Sequence, residues 1–576
     1  MITADRATLT AVARGAAPAT CYLRGGTLLN VYTGEIYPAN VAIAGERIAY
    51  VGLRDDMVGA RTDVIDVTGR ILLPGYIEPH AHPTHLVTPA ALARYVLPLG
   101  TTTMFADTLH FLELGGVRAF LAVAAALGRS PLKFYWMVRV HGQSRAPDEP
   151  RRFRLGALAR ALAHPWAAAV GEVTRWPEIH RGTTSLLRRL ALGLDRRLRV
   201  EGHTAGAAAE KIPALAAGGL TSDHESITAD EVLHRARQGI AVMLRESSLR
   251  PDLVDLLETL KRAPALTSRL MLTSDGAMPA FVEANGFVDH TIRIALDRGV
   301  APIDAYRMAT LNPATYFNRD GDLGGVAPGR YADLCVLGDL SEPRPEIVIA
   351  RGTVAAVGGR LRVRVPEPDW RRVFRSARAR LAVRWRCRPE EFTIPSLVRV
   401  PVLRLVSAVI TRLEERPFAE GDLIAALIDR EGRWIAPAIL AGFAPRVAGL
   451  ATTTTTDFNI LALGRDPAAI AHAVNRLLAL RGGIVLVDRD AARSAPVIAF
   501  EHALPIGGVM SAGSLVEAAG VEREFQRLLV ARGYTFHDPL FTLFFLAADF
   551  LPAVRLTPRG VWDVKQERVL LPRRRR

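Results

Sequence analysis

The chain has 576 residues, 73 Lys+Arg against 58 Asp+Glu, and 49% hydrophobic residues. This is globular composition with a core large enough to need no covalent staples, which excludes disordered, collagen-like and coiled-coil classes. Three scattered cysteines, Cys21, Cys335 and Cys387, form no CxxC pair, so a disulfide framework and a cysteine-based zinc site are excluded and a reducing compartment fits. The apolar runs near Phe120–Leu127 and Phe541–Phe550 are shorter than a bilayer span and read as core. The N-terminus lacks the apolar centre of a signal peptide, so the expectation is a cytoplasmic protein with no membrane partner.

The first element group, over 20–70, alternates apolar and polar residues and is cut by Gly25-Gly26, Gly34 and Gly45, which predicts short strands and turns. A similar β-rich text returns over 324–359. The two flanks predict one small β domain, 1–70 with 324–365, whose chain is interrupted by an insertion.

The insertion, 71–323, has strand-length apolar runs at 71–77, 102–106, 134–140, 167–173, 198–202, 219–222, 241–244 and 269–273. Helix-length segments separate most of them. Eight β/α units in about 250 residues predict an α/β fold, a (β/α)8 barrel. A polar or ionisable residue stands at the end of each run: His80 and His82, Asp107, His141, Glu172, His203, His224, Arg245-Glu246 and Asp275. Barrel active sites are built from that rim.

Residues 366–576 mix strands and helices after a basic stretch, 371–388. The chain ends in four arginines. The expectation for both basic runs is a solvated helix face and a frayed tail, not a nucleic-acid surface.

His80 and His82 are two apart, so on a strand their imidazoles share one side and converge on one point, as a divalent metal requires. A carboxylate at Glu172, after an apolar run, is costly to bury unless it meets a cation, and a bridging place between two metals would supply one. His203 and His224 end consecutive strands and offer the imidazoles for a second ion. Asp275 ends the eighth strand, where it can touch the first ion and accept a proton from bound water. Four histidines and two carboxylates suit Fe, Mn or Zn better than Ca or Mg. Two ions would share a water and acidify it, so the expectation is hydrolysis or deamination by a metal-bound hydroxide.

The text ILLPGYIEPHAH, YVLPLGTTTMFAD, VGEVTRWPEI, EGHTAG, SDHES, VMLRESS, LTSDG and APGRYADLCVL resembles the bacterial adenine deaminases of the amidohydrolase superfamily. So do VNRLLALRGGIVLV, LPIGGVMS and TLFFLAADFLPAVRLTPRGVWDV in the C-terminal region. The resemblance covers nearly the whole chain. It implies a β-sandwich from the two flanks, a metal-dependent barrel and an additional C-terminal α+β domain. It implies His80 and His82 on one metal, Glu172 bridging, His203 and His224 on the other, and Asp275 as ligand and proton shuttle. It further implies a dinuclear Mn or Fe centre, a small-molecule substrate, a place in purine metabolism and a homo-oligomer. The implied reaction is hydrolytic deamination of adenine to hypoxanthine and ammonia.

The pocket segments depart from that family. Pro83-Thr84-His85 replaces Ile-Glu-Ser-Ser, and Asp107 precedes Thr108-Leu109-His110 where the family has Pro-His-Glu. Gly276-Ala277-Met278-Pro279 follows Asp275, and both histidines of a C-terminal motif are missing from the corresponding stretch 453–459, TTTTDFN. Intact ligands with replaced pocket groups imply altered substrate recognition, which keeps open another aminated heterocycle, a cyclic amide or an inactive paralogue. His85, His110, Asp107, Arg245 and Glu246 are the candidate substrate contacts.

Overall fold

The computed structural model describes residues 5–381, 385–393, 399–489 and 496–576. Its secondary structure falls into three bodies. The first is a nine-stranded sheet that takes strands from both flanks. Cys21–Leu29 pairs antiparallel with Ile36–Ala44 and parallel with Ile71–Pro74, which in turn pairs antiparallel with Leu334–Leu337. Leu23, Val41, Ile48, Leu72, Val336 and Ile349 fill its core. Burying such side chains contributes about 1.5–3 kcal/mol each before entropy is counted.

The second body is an eight-stranded parallel barrel. Its strands are β1 (Tyr76–Ala81), β2 (Thr101–Asp107), β3 (Lys133–Val138), β4 (Ala167–Val173), β5 (Arg199–Gly202), β6 (Ser222–Asp223), β7 (Ala241–Arg245) and β8 (Leu270–Thr273). All eight expected strands are present, and two differ in a way that bears on the site. The run 71–77 splits: Ile71–Pro74 belongs to the flanking sheet, and β1 begins only after Gly75. A Cβ at Gly75 would lie 2.3 Å from the Thr102 hydroxyl, so only glycine lets the chain pass from one sheet to the other here. His80 therefore lies within β1, not beyond it. The third strand ends at Val138, two residues earlier than its apolar run, which displaces His141 into the following loop.

β1 and β8 are joined by one parallel bridge, Ala81 to Asp275, so the barrel is nearly closed. Side chains seal the rest of the seam. Glu78 accepts from the Thr273 hydroxyl at 2.6 Å, the Ser274 amide at 2.9 Å and the Ser274 hydroxyl at 2.7 Å. The Asn312 amide donates to the carbonyls of Thr267 and Leu270.

Helix α1 (Leu109–Leu127) follows β2 and is broken by Gly116, where φ is 66°. By length and composition it is long and apolar enough to cross a membrane, although Glu113 and Arg118 interrupt its apolar run. Most of it is buried against the rest of the molecule.

The third body is a nine-stranded sheet from 400–503 and 574–575, with helix Pro467–Ala479 packed on it, followed by a three-stranded sheet over 554–572. Its attachments to the barrel matter most. Met510–Ser511 pairs parallel with Leu86–Val87, directly after His85. Helices α2 (Pro279–Asn285), α3 (Leu515–Val530) and α4 (Pro539–Phe545) meet above the barrel mouth. The terminal arginines are not frayed: Arg574–Arg575 pairs with Trp434-Ile435, and Arg576 lies over the Trp385 ring at 4.1 Å and bonds Glu391. Aromatic faces and a carboxylate supply partners that the composition alone could not show. In the basic stretch 371–388, Phe374 packs into the core and Ser376 bonds the Leu114 carbonyl, while 382–384 lie outside the described residues.

Candidate metal centre

The strand alternation of β1 brings His80 and His82 to one side, with their Nε2 atoms 3.2 Å apart. Asp275, just past β8 and in the left-handed region at φ 48°, turns its Oδ1 to 3.4 Å from His80 Nε2 and 3.3 Å from His82 Nε2. Across the mouth, Glu172 ends β4, and its Oε1 lies 2.5 Å from His203 Nδ1 and 3.6 Å from His224 Nε2. Its other oxygen, Oε2, lies 3.6 Å from His82 Nε2. Glu172 thus faces one triad with each oxygen.

The donor set fits divalent metal. Each triad, His80–His82–Asp275 and Glu172–His203–His224, places its ligand atoms within 4.8 Å of one another. The ring nitrogens of His203 and His224 approach to 3.3 Å, as close as those of His80 and His82. Two imidazole lone pairs set face to face repel unless a proton or cation lies between them. Among the described residues, His203 Nε2 has no hydrogen-bond partner. Nitrogen and oxygen donors in this mixture suit Fe, Mn or Zn.

A layer of charge orients these ligands. The Glu201 carboxylate spans two of them, with Oε1 2.8 Å from His224 Nδ1 and Oε2 3.3 Å from His80 Nδ1. Such carboxylate–histidine contacts fix the tautomer and ring plane of a ligand. Arg139, fully buried after β3, donates from Nε to Asp107 Oδ1 at 2.8 Å and from a terminal nitrogen to Glu172 Oε2. Asp107 in turn meets His82 Nδ1 at 3.1 Å. Burial alone would raise both carboxyls, but Arg139 and the neighbouring histidines hold Glu172 and Asp107 well below the usual carboxylate range. Asp275 is also held low against burial, by bonds from His80 and His82 and by the Arg245 charge.

A cavity opens over the ligands. His82, Glu172, His203 and Asp275 form its floor, and His85, His110, Gln143, Glu225, Arg245 and Arg250 its polar wall. Phe541, Phe544, Phe545 and Phe550, all from the C-terminal region, form an apolar wall. His85 stacks parallel on His82 at 5.6 Å and meets the rings of Phe541 at 5.3 Å and Phe544 at 5.7 Å. Burial and then the His82 charge push His85 down to about 3, and burial and then His85 push His110 down to about 3, so both imidazoles are neutral at pH 7.

The structure brings together all six residues read as ligands, and also His85, His110 and Arg245. Asp107 stands behind His82 and does not line the cavity. Glu246 does not line it either: it lies just past the end of β7, in an isolated bridge to Pro251. His141 turns away and bonds the Gly142 carbonyl at 2.8 Å. Arg139, Glu201, Glu225 and Gln143 escaped the sequence reading. Glu201 was within reach of it, two residues before His203 on the same strand face.

A model of the amidohydrolase family matches residues 71–355, and one of the adenine deaminase C-terminal domain matches 410–568. A protein of Halalkalibacterium halodurans, provisionally named an adenine deaminase, is 34% identical over 98% of this chain and 96% of its own. The adenine deaminase of Rubrobacter xylanophilus is 33% identical over 97% and 96%. Among solved structures, an N-isopropylammelide isopropylaminohydrolase from Burkholderia multivorans covers 60% of this chain and all of its own at 19% identity, with a TM-score of 0.46.

Proposed function

Because the chain belongs to the adenine deaminase family of amidohydrolases, hydrolases acting on carbon–nitrogen bonds, we propose that it converts adenine and water to hypoxanthine and ammonia. The observation that carries this reading is the pair of ligand triads joined by Glu172 beneath an aromatic-walled cavity. A planar heterocycle matches that wall, since ring faces and edges are favourable partners for the phenylalanines.

We assign His80, His82 and Asp275 to one divalent ion, His203 and His224 to a second, and Glu172 to both, with Mn or Fe as the metals. When bound, such ions supply water acidified to near neutrality and polarise the substrate. The chain's own groups do the rest. The phenylalanines exclude bulk water, and Arg245 fixes the Asp275 carboxylate through Oδ2. Asp275 accepts a proton from water as its oxygen bonds to the amidine carbon. It returns that proton to the exocyclic nitrogen as the carbon–nitrogen bond breaks and ammonia leaves. We assign the chain three units, 1–70 with 324–365, 71–323 and 366–576, of which the last supplies the apolar wall of the site.

Ammonia release from adenine by Mn- or Fe-loaded protein tests the reading, with Asp275→Asn as control. The expected result is release by the wild type and a loss of at least about 100-fold in kcat in the variant, with the fold unchanged. Metal-replete, folded protein that releases no ammonia overturns adenine as substrate.

A further inference from the structure

Gln143 is 4% exposed and lines the cavity above the ligands. Among the described residues, its Oε1 is buried and has no hydrogen-bond partner. A buried amide oxygen left without a partner costs on the order of 1–3 kcal/mol. A structural glutamine would normally be bonded to backbone or to a neighbouring side chain.

The backbone around it is held firmly, so the unpaired oxygen does not reflect a loose loop. The Gln143 carbonyl accepts from the Asp549 amide at 3.1 Å, and the Arg145 amide donates to the Asp549 carboxylate. A Cβ on neighbouring Gly142 would lie 2.4 Å from Glu113 Oε1, so the loop is closely packed there too. Asp549 directly precedes Phe550 of the apolar wall. The same contacts therefore place the carboxamide beside the wall against which a flat ring would lie.

We propose that Gln143 is a specificity-determining residue that reads the ring edge of the substrate through its side-chain carboxamide. This rests on the heterocycle reading of the site above and names how that ring is recognised. A carboxamide presents one acceptor beside one two-donor group, which matches an edge carrying an N–H or amine beside an unprotonated ring nitrogen, as adenine does. The phenylalanines fix the plane of the ring, and the carboxamide fixes its rotation within that plane. Rotation decides whether the amine-bearing carbon faces the metal ligands.

The test compares Gln143→Leu with the wild type, both metal-loaded. Leucine fills similar volume and removes the unpaired oxygen with its carboxamide, so the thermal midpoint stays the same or rises. The kcat/KM for adenine falls by about 10- to 100-fold, the value of one or two hydrogen bonds to a buried partner. Deaza and N-methyl analogues of adenine then locate the contact. At least one ring substitution lowers kcat/KM in the wild type by about tenfold and costs Gln143→Leu nothing further, the signature of a shared contact. An unchanged kcat/KM, equal analogue penalties in both proteins, or a fall in thermal midpoint that accounts for the lost activity overturns the proposal.

Wild-type protein inactive on adenine would defeat the functional reading without deciding this one. Calorimetric binding of adenine, hypoxanthine and hydantoin to both proteins then decides it. Weaker binding of any of them to Gln143→Leu supports the role. Equal binding to both proteins, or no binding to the wild type, overturns it.

Discussion

A terminal nitrogen of Arg245 lies 2.8 Å from Asp275 Oδ2, and the same nitrogen donates to Glu225 Oε1. Arg245 is 3% exposed, so one buried cation serves the buried Glu225 and the partly buried Asp275. Removing one partner of such a set strands the others in a low-dielectric site, at a cost of about 3–5 kcal/mol. Arg245→Met should therefore lower the denaturant midpoint, while adding Asp275→Asn should recover part of that loss because one stranded charge is gone. Additive losses in the double variant would show that Arg245 and Asp275 act separately.

Arg139 plays the matching part on the other side of the mouth, between Asp107 and Glu172. Groups that orient ligands typically govern metal affinity by about 10- to 100-fold. Arg139→Met frees Glu172 and Asp107 to collapse onto the histidines. The expected result is a lower metal content per chain and a weaker apparent metal affinity, measured by elemental analysis and competition with a chelator. Full metal loading with unchanged affinity would reduce Arg139 to a fold-stabilising residue.

The six residues that meet at the barrel mouth were legible in the sequence because metal-binding residue types stood at the ends of apolar runs, and strand alternation fixed the side they face. His80 and His82 follow from that rule alone. Arg139 did not, since arginine is not a ligand and the apolar run concealed that β3 stops at Val138. His141, two residues on, stands at the end of the same apolar run, but the loop turns it to the Gly142 carbonyl. The aromatic wall was out of reach for another reason. Phe541 and Phe550 lie more than 250 residues after Asp275, and no periodicity reports which distant helix will cover a barrel mouth. The terminal arginines likewise gained their partners, Trp385 and Glu391, only through tertiary pairing.

The clasp between the C-terminal region and the barrel should respond to pH. Glu522 on α3 accepts from the Ala280 amide in the first turn of α2 at 2.8 Å. Burial, with the Asp538 charge adding to it and the Ala280 hydrogen bond and then Arg523 opposing it, pushes the Glu522 carboxyl up to about 8 from its ordinary 4.5. In the native state it keeps a proton that the unfolded chain has lost, so its contribution to stability is present below pH 4.5 and falls away as pH rises to about 8. Glu522→Gln keeps an acceptor for Ala280 and removes the ionisation. The variant and the wild type should have similar thermal midpoints at about pH 4, and the variant should be the more stable by several degrees at about pH 9. Parallel pH profiles would place the titration elsewhere.

Phe544 tests whether the C-terminal region belongs to the site or merely caps it. Its ring lies 5.7 Å from that of His85, which is itself stacked on His82, so the aromatic wall is continuous with the candidate metal centre. Phe544 is only partly buried, so truncation there costs less stability than the core positions Phe541 or Leu543 would. A ring that packs against the substrate contributes to binding in the ground state and the transition state alike. Its loss raises KM with little change in kcat. Phe544→Ala should raise KM for adenine by about tenfold, consistent with losing one aromatic contact, while metal content stays at the wild-type level. A fall in kcat at constant KM would point instead to the wall's second task, the exclusion of water around Asp275. Phe544→Leu separates the two, because it preserves the barrier to water and removes the flat face.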